Sequence, residues 1–406
     1  MNIVVMGSGA AAISSINTMR RITREENITL ISPEREIYSR CLLPNLLSNE
    51  IDKEKLLYHN EDFYEKMRVN TIFKAAKGID PFQKKIILDD DSIESYDRLL
   101  IATGSHPKSL PIEGIENKGI FFFKTLGDAK MLLNWIESEN PKKAVVIGVG
   151  YMGVEVAIAL RKAGLAVTSI GNRDRVLPRM LDREMAGLVQ QKLEDSGIEI
   201  ELESKAFEIR DVKMGKEVVL NNKRIQCDLV VIAIGETPVT GMLEDSGIEI
   251  DEGIVVDEYL RTSNHDIFAA GDVALSYDIV VRERVNNRIW LNAVKQGKYA
   301  AYNILGNKRQ YEGSVRCNVL NIFDLPVVTI GYIQPDCEII ETCNRVIAIK
   351  ENRIVGLSFV GDIENAGVLF GLMKKGADIT KIKDSLIKKE FGYGRLVKYF
   401  PLADIA

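Results

Sequence analysis

Two glycine-rich turns, each directly after a short apolar run, constrain the fold of this chain more than any other feature. The first, residues 7–12 (GSGAAA), follows residues 3–6, and the second, residues 148–153 (GVGYMG), follows residues 144–147. In such a turn the first glycine bends the chain tightly, the second lets the backbone approach a pyrophosphate, and a small third residue lets the following helix pack on the strand. The N-terminus of that helix adds unpaired N–H groups and the positive end of its dipole. The sequence therefore predicts two separate dinucleotide sites, with electrons passing between the two dinucleotides.

Length and composition are typical of a globular protein with two or three domains. The 406 residues exceed one ordinary core, and 46% of them are hydrophobic and 27% charged. The net charge of −5 argues against a nucleic-acid partner, and no apolar run reaches the roughly 18–20 residues that span a bilayer. The first predicted strand begins at about Asn2, which excludes a signal peptide there, and the five cysteines are scattered. We therefore expect a cytoplasmic protein with reduced thiols, no disulfide framework and no metal site.

Strand and helix patterns alternate along the chain as in a doubly wound α/β sheet. They predict a discontinuous nucleotide-binding domain over residues 1–112 and 239–310 and a second nucleotide-binding domain over residues 113–238. The remaining residues, 311–406, predict a C-terminal α+β domain without a nucleotide turn.

Two local patterns carry further expectations. The polar stretch 50–66 is helix-prone. The octapeptide LEDSGIEI occurs twice, at residues 193–200 and 243–250. Each copy predicts the end of a helix, a glycine cap and a following strand.

Further small-residue turns follow buried apolar runs. They are residues 102–104 (ATG), Gly235 after residues 228–234, and residues 270–272 (AGD) after residues 267–269. In their order along the chain with the two glycine turns, these motifs resemble the pyridine nucleotide–disulfide oxidoreductase superfamily of flavoproteins. The resemblance covers essentially the whole chain.

This resemblance implies two Rossmann-like domains, one for FAD and one for NADH or NADPH, and an NAD(P)H-dependent FAD oxidoreductase activity. It implies that Asp272 accepts a hydrogen bond from the ribityl chain of FAD, and that Arg40 tunes the flavin electrostatically. Tyr151 matches the aromatic gate that covers the flavin until nicotinamide displaces it, and Glu155 matches a carboxylate near the isoalloxazine ring.

The resemblance, with the turn chemistry above, predicts two sets of site residues. The catalytic candidates are Cys41, Tyr151, Glu155 and Arg40. The cofactor-binding candidates are Gly7, Gly9, Ala10, Ala11, Glu34, Arg40, Ala102, Thr103, Gly104, Gly148, Gly150, Tyr151, Met152, Gly153, Arg173, Gly235, Gly271 and Asp272.

The sequence departs from the expected pattern at both ribose sites. A ribose-binding carboxylate is expected about 20 residues beyond the first turn, and Ser32 stands there, so Glu34 is the candidate. In the second domain the corresponding strand ends at Gly171, which is not an acid. Arg173 follows and could pair with a 2′-phosphate, so that NADPH is as credible a donor as NADH.

The electron acceptor depends on the segment at residues 36–47, which contains one cysteine, Cys41, where disulfide reductases carry two. Tyr38, Ser39 and Arg40 resemble NADH–rubredoxin reductases and the flavin module of nitrite reductases, which pass electrons to a small electron-carrier protein or a metalloenzyme subunit. Cys41 resembles instead the redox-active cysteine of NADH oxidases, peroxidases and coenzyme A-disulfide reductases.

We favour the electron-carrier reading of this segment, with three alternatives open. Cys41 is equally well explained as a small buried residue. The chain is alternatively a thiol-dependent enzyme of the second group, or a flavin-bearing electron-relay subunit of a larger complex. A homodimer and a monomer are both compatible with the sequence.

Overall fold

The structure is a computed structural model that describes residues 1–221, 223–388 and 391–396. Its α-helices are α1 (Ala10–Ile22), α2 (Leu43–Leu47), α3 (Lys53–Leu56), α4 (Phe63–Lys66), α5 (Leu126–Glu139), α6 (Tyr151–Lys162), α7 (Arg183–Asp195), α8 (Trp290–Ile304), α9 (Ala366–Lys374) and α10 (Tyr393–Leu396). Short 3₁₀ helices cover Arg40–Leu42, Gly241–Leu243 and Lys383–Ser385.

The strands are β1 (Asn2–Met6), β2 (Asn27–Ile31), β3 (Val69–Ile72), β4 (Ala76–Asp80), β5 (Lys85–Leu88), β6 (Ile93–Ser95), β7 (Arg98–Ile101), β8 (Ser105–Pro107), β9 (Ile120–Phe122), β10 (Lys143–Ile147), β11 (Ala166–Ile170), β12 (Ile198–Glu201), β13 (Ala206–Asp211), β14 (Lys216–Leu220), β15 (Arg224–Cys227), β16 (Leu229–Ile232), β17 (Glu236–Pro238), β18 (Ile254–Val255), β19 (Ile267–Ala269), β20 (Ala274–Asp278), β21 (Glu283–Val285), β22 (Cys317–Ile322), β23 (Leu325–Gly331), β24 (Glu338–Thr342), β25 (Arg345–Lys350) and β26 (Arg353–Val360).

The described chain divides into two compact units. Unit 1 comprises residues 1–41, 53–106 and 236–315, and unit 2 comprises the described residues of 42–52, 107–235 and 316–406. The boundaries of the three predicted domains stay a prediction, and residues 397–406 of the third lie outside the described residues. Among the helices that the structure describes, none has both the length and the apolar composition that a membrane span requires.

Unit 1 is built around a parallel sheet with the strand order β19-β7-β1-β2-β3. The central strand β1 is apolar, and Ile3, Val4 and Val5 are fully buried because parallel sheets are covered on both faces. The chain leaves β1 through the first glycine turn into α1, which packs against α8. A Cβ built on Gly297 of α8 would lie 2.0 Å from the backbone oxygen of Ala11, so the two helices touch backbone to backbone.

Unit 2 contains a second parallel sheet with the order β12-β11-β10-β16-β9. Its central strand, β10, leads through the second glycine turn into α6, as β1 leads into α1. An antiparallel sheet with the order β22-β23-β26-β25-β24 follows, with α9 against β26. The two parallel sheets and the C-terminal antiparallel sheet confirm the predicted fold class.

The helix-prone stretch 50–66 is helical in part. The structure has two short helices there, α3 and α4. The backbone pairs with an earlier segment where α3 ends: Ser39 N donates to the oxygen of Leu56, the last residue of α3 (3.0 Å), and Tyr58 N donates to Ile37 O (3.3 Å). A helix needs those same groups for its own hydrogen bonds, so pairing with the segment before Arg40 interrupts it.

The octapeptide prediction is right for the first copy and only partly right for the second. In the first copy α7 ends at Asp195, Gly197 has a φ of +84° and β12 follows. In the second copy a 3₁₀ helix ends at Leu243 and Gly247 has a φ of +72°, but Ile250 then makes an isolated bridge with Ile254 in place of a strand.

We predict that Gly297→Ala destabilises the FAD-loaded protein by about 1–3 kcal/mol, because the added methyl group meets the Ala11 carbonyl at 2.0 Å. The midpoint of urea unfolding measures the effect. Gly187→Ala in α7 is the matched control, since none of the described atoms lies within 4 Å of its added Cβ. That control should be neutral or stabilising by up to about 1 kcal/mol, and equal effects of the two substitutions would contradict the prediction.

Candidate functional site

The first glycine turn brings the backbone of unit 1 close to a neighbouring strand. Gly7 has a φ of +103°, and its added Cβ would lie 2.2 Å from the oxygen of Ala102. At Gly9, by contrast, none of the described atoms lies within 4 Å of the added Cβ. Gly7 therefore closes the turn against β7, and Gly9 leaves open space in front of it, as a pyrophosphate requires.

The N-terminus of α1 is free to bind an anion. Gly9 is its N-cap in extended conformation, and among the described side chains none caps the helix. The first turn, which begins with Ala10 and Ala11, contains no acidic residue in the described structure. Free N–H groups and the dipole of a 13-residue helix therefore point to the space at Gly9. This arrangement fits the diphosphate of FAD.

Glu34 lies beside this turn, and hydrogen bonds fix both its backbone and its carboxylate. Its backbone N–H donates to Ser32 Oγ (3.2 Å), which itself donates to Ser8 Oγ (2.9 Å) in the turn. Its carboxylate accepts from Tyr38 Oη (2.8 Å) and from Arg40 Nη2 (2.5 Å). The spacing that nominated Glu34 thus places it near the first turn, already paired with Arg40.

Arg40 lies between two carboxylates. Burial opposes the charge of its guanidinium, but the nearby Tyr38, Glu34 and Asp272 favour it more, so the pKa of Arg40 is raised. The residue therefore supplies a permanent positive charge within a group of acids. The structure brings together Glu34, Arg40 and Asp272, which lie far apart in the sequence.

Asp272 lies next to the N-terminal part of α1. The Cβ built on the preceding Gly271 would lie 3.1 Å from Ala11 Cβ, and Gly271 N donates to Gln296 Oε1 (2.7 Å). The Asp272 carboxylate is 3.2 Å from Ser105 Oγ. Sequence reasoning missed Ser105 and Gln296, which are fixed by contacts across 167 and 25 residues and carry no local signal.

The turn at residues 102–104 joins the same region. Thr103 Oγ1 donates to Val239 O (2.9 Å), and Val239 N donates to Gly104 O (3.0 Å). This small-residue turn therefore fixes the chain where it leaves β7, directly beside Gly7.

The second turn, in unit 2, repeats the geometry of the first. Gly148 has a φ of +130°, and its added Cβ would lie 2.2 Å from the oxygen of Ala233. The Cβ of Gly153 would meet Gly148 O at 2.0 Å, whereas that of Gly150 would have none of the described atoms within 4 Å. Gly235, three residues after the end of β16, has a φ of +121°.

The helix that follows, α6, begins at Tyr151 and Met152 without a capping side chain or a first-turn acid among the described residues. Its N-terminus and the open space at Gly150 fit the diphosphate of NADH or NADPH. The two turns lie in different units, so the structure contains two separate anion-binding turns.

Tyr151 and Glu155 lie one helical turn apart on α6. Burial raises the pKa of Glu155 to about 7, and a hydrogen bond with Tyr151 acts in the opposite direction. Tyr151 Oη also donates to Val319 O at the C-terminal sheet (3.3 Å). Tyr151 therefore lies between a carboxyl group that titrates near neutral pH and a backbone carbonyl.

The loop after β11 carries the predicted Arg173, whose side chain is exposed. Asp174, the next residue, pairs with Arg175 (3.0 Å) and with Arg183 (2.6 Å). Arg173 makes no ion pair within the described part of the chain, so its charge is available to a ligand.

Cys41 lies in the 3₁₀ helix Arg40–Leu42 and is exposed. All five cysteines belong to the described residues, and none of them forms a disulfide. The described residues also contain no group of three or more His, Cys, Asp or Glu placed to bind a metal.

Sequence reasoning missed a pocket of about 660 Å³ on unit 1, between α1, α8 and the segment at Tyr58. Its walls carry the cations Arg21 and Lys298 and the aromatic ring of Trp290. Ser39, two residues before Cys41, also lines it. No local pattern could have shown it, since its walls come from segments that are distant in the sequence.

Comparison with known proteins supports this two-turn architecture. Residues 1–297 match the family model of the pyridine nucleotide-disulphide oxidoreductases. The chain is 32% identical to an NADH oxidase of Methanocaldococcus jannaschii over 80% of its own length and 75% of that protein. It is 28% identical to the assimilatory nitrate reductase electron transfer subunit of Bacillus subtilis over 96% of its own length, but spans only 51% of that protein.

Among solved structures, an NAD-dependent persulfide reductase from A. fulgidus superposes with a TM-score of 0.87 and 29% identity. The superposition covers 93% of this chain and 77% of that one. The family match spans both glycine turns and the residues gathered around them. The chain therefore belongs to the pyridine nucleotide-disulphide oxidoreductase family of NAD(P)H-dependent FAD oxidoreductases.

Proposed function

We propose that this protein oxidises NADH or NADPH through bound FAD and passes the electrons to a small electron-carrier protein or a metalloenzyme subunit. The observation that carries the proposal is the pair of uncapped helix N-termini, at Gly9 and Gly150, each behind a turn closed against a neighbouring strand. The electron-transfer subunit of Bacillus subtilis supports an acceptor on another protein.

The residues of unit 1 would bind FAD and set its electrostatic environment. FAD, when bound, accepts a hydride from the nicotinamide and returns the electrons to an acceptor. The α1 N-terminus binds the diphosphate, while Asp272 and Glu34 offer acceptor oxygens to sugar hydroxyls. Arg40 forms an ion pair with Glu34, and its positive charge offsets the negative charges of Glu34 and Asp272.

The residues of unit 2 would bind the nicotinamide nucleotide and control a proton. The α6 N-terminus binds the diphosphate, and Arg173 is a cation for the adenosine end. Glu155, with a pKa of about 7, exchanges a proton near neutral pH while its hydrogen bond to Tyr151 persists. As a carboxylate it accepts a hydrogen bond from the Tyr151 hydroxyl. As an acid it donates to Tyr151 Oη, and the hydroxyl hydrogen of Tyr151 is then directed to Val319 O.

A second candidate function uses Cys41 as a thiol that reduces a small disulfide, as in coenzyme A-disulfide reductases. The pocket beside Ser39 favours it, because Arg21 and Lys298 match a phosphate-bearing ligand and Trp290 offers an aromatic surface for a base. The pocket volume of about 660 Å³ suits a small molecule better than a protein acceptor.

We predict that Asp272→Ala weakens FAD binding about 10- to 100-fold, since a charge-assisted hydrogen bond contributes about 1.5–3 kcal/mol. FAD fluorescence quenching on reconstitution of the stripped protein gives the dissociation constant. Asp251→Ala, an exposed acid of unit 1, is the control and should bind FAD normally. Normal flavin content in Asp272→Ala would refute the assignment.

We predict that Cys41→Ser retains NAD(P)H-dependent reduction of rubredoxin, with turnover within about twofold of the unsubstituted protein. The flavin alone serves as the redox centre under the main proposal, so the thiol is dispensable. Steady-state assays with rubredoxin and with coenzyme A disulfide separate the two candidates, with Cys343→Ser, also exposed, as the control. Loss of all turnover in Cys41→Ser alone would favour the thiol enzyme instead.

We predict that Glu155→Gln stabilises the FAD-loaded protein more at pH 8 than at pH 5. Burial raises the folded-state pKa from 4.5 to about 7, so ionisation costs stability. That cost is absent below pH 4.5, grows as the pH rises and is complete above pH 7, on the order of 1–3 kcal/mol. Thermal unfolding at both pH values measures it.

Glu137→Gln, an exposed substitution on α5 of the same unit, should show the same small effect at both pH values. If Glu155→Gln behaves like this control, Glu155 has an ordinary pKa in the folded protein.

A further inference from the structure

Gly171, the residue that follows β11, has no room for a side chain. A Cβ built on Gly171 would lie 2.4 Å from Val149 Cγ2 and 3.1 Å from Val149 Cγ1. The φ of Gly171 lies outside the left-handed region that favours glycine. The requirement for glycine is therefore steric, and it comes from the valine inside the second glycine turn.

Neither Gly171 nor Val149 can move easily to relieve this contact. Two backbone hydrogen bonds fix Gly171. Its N–H donates to Glu201 O (2.8 Å), and Gly171 O accepts from Ser204 N (2.9 Å). Val149 is 5% exposed, and its oxygen accepts from Leu177 N at 2.8 Å. Valine has a stiff side chain, and its backbone belongs to the turn that Gly148 closes against Ala233.

An acid at the end of this strand normally accepts a hydrogen bond from the ribose 2′-hydroxyl of NAD, and it repels the 2′-phosphate of NADP. We infer that Val149 determines the nucleotide preference of this protein: it excludes a ribose-binding acid from position 171 and so lets the second turn accept NADPH. This inference rests on the proposed function only in that the second turn binds the nicotinamide nucleotide.

The charges of the loop after β11 are consistent with a 2′-phosphate. Of its two acids, Asp174 is paired with Arg175 and Arg183, and Asp182 caps α7 by accepting from Met185 N (2.9 Å). Arg173 and Arg179 are exposed and make no ion pair with any residue that the structure describes. The loop thus offers cations without a competing free carboxylate.

The steric part is tested by thermal unfolding of the FAD-loaded protein without nicotinamide nucleotide. Gly171→Ala should lower the midpoint by roughly 4 °C or more in the natural background. In a Val149→Ala background the same change should cost less than half as much, because the two γ-carbons that it meets are gone. Equal shifts in both backgrounds would overturn the inference.

The specificity part is tested by anaerobic flavin reduction with NADH and with NADPH. The natural protein should be reduced by NADPH at least as readily as by NADH. Gly171→Asp alone should weaken both nucleotides about tenfold, whereas Val149→Ala with Gly171→Asp should recover NADH and discriminate at least tenfold against NADPH. Asn172→Asp adds the same negative charge at the next residue, which is exposed, and so is the control for the effect of charge alone.

The outcomes separate this inference from the proposed function. If Gly171→Asp alone keeps full NADH affinity while rejecting NADPH, Val149 is no obstacle and the inference fails, although the enzyme still works. If neither nucleotide reduces the natural protein, the proposed function fails, and the unfolding measurements still decide the steric claim.

Discussion

The close approach of a turn glycine to the carbonyl of a neighbouring strand is the constraint on which the rest of this structure depends. It occurs twice with the same dimension, since the missing Cβ would lie 2.2 Å from the oxygen of Ala102 at Gly7 and of Ala233 at Gly148. Each contact pins the end of a central strand and directs the next helix. The second glycine of each turn then faces open space, so the helix N–H groups remain available to a diphosphate.

The two sites share this backbone and differ in the side chains around it. In unit 1 a permanent cation, Arg40, lies among Tyr38, Glu34 and Asp272, which makes a polar surface suited to the many hydroxyls of FAD. In unit 2 the nearest acid of the turn helix, Glu155, is desolvated and titrates near neutral pH. Under the proposed function, the same local fold would bind FAD in unit 1 and a nicotinamide nucleotide in unit 2.

Sequence alone predicted the parts of this molecule that are set locally. The glycine turns, the buried strands before them and the position of Glu34 follow from short patterns, and the structure has them where they were expected. The octapeptide LEDSGIEI shows the limit: its first copy continues into β12, which pairs with β11, whereas in its second copy Ile250 forms an isolated bridge with Ile254. Identical local propensities gave different structures because the long-range partner differed.

The features that sequence reasoning missed all depend on distant partners. The sequence does not show that Gly297 contacts the backbone of α1. It also does not show that Val149 contacts Gly171, which lies 22 residues later in the chain. The pairing of Glu34 with Arg40 and the pocket beside Ser39 are of the same kind. Functional specificity in this chain is therefore set by tertiary contacts between residues that individually match general patterns.

The most direct test of the account is an anaerobic titration of the purified chain, reconstituted with FAD, in which flavin absorbance and bound nicotinamide nucleotide are followed together. The account predicts one FAD per chain, retained while NADPH binds, and bleaching of the flavin after one equivalent of nucleotide. A chain that stays colourless after refolding with excess FAD would contradict it, and so would competition between FAD and NADPH for a single site.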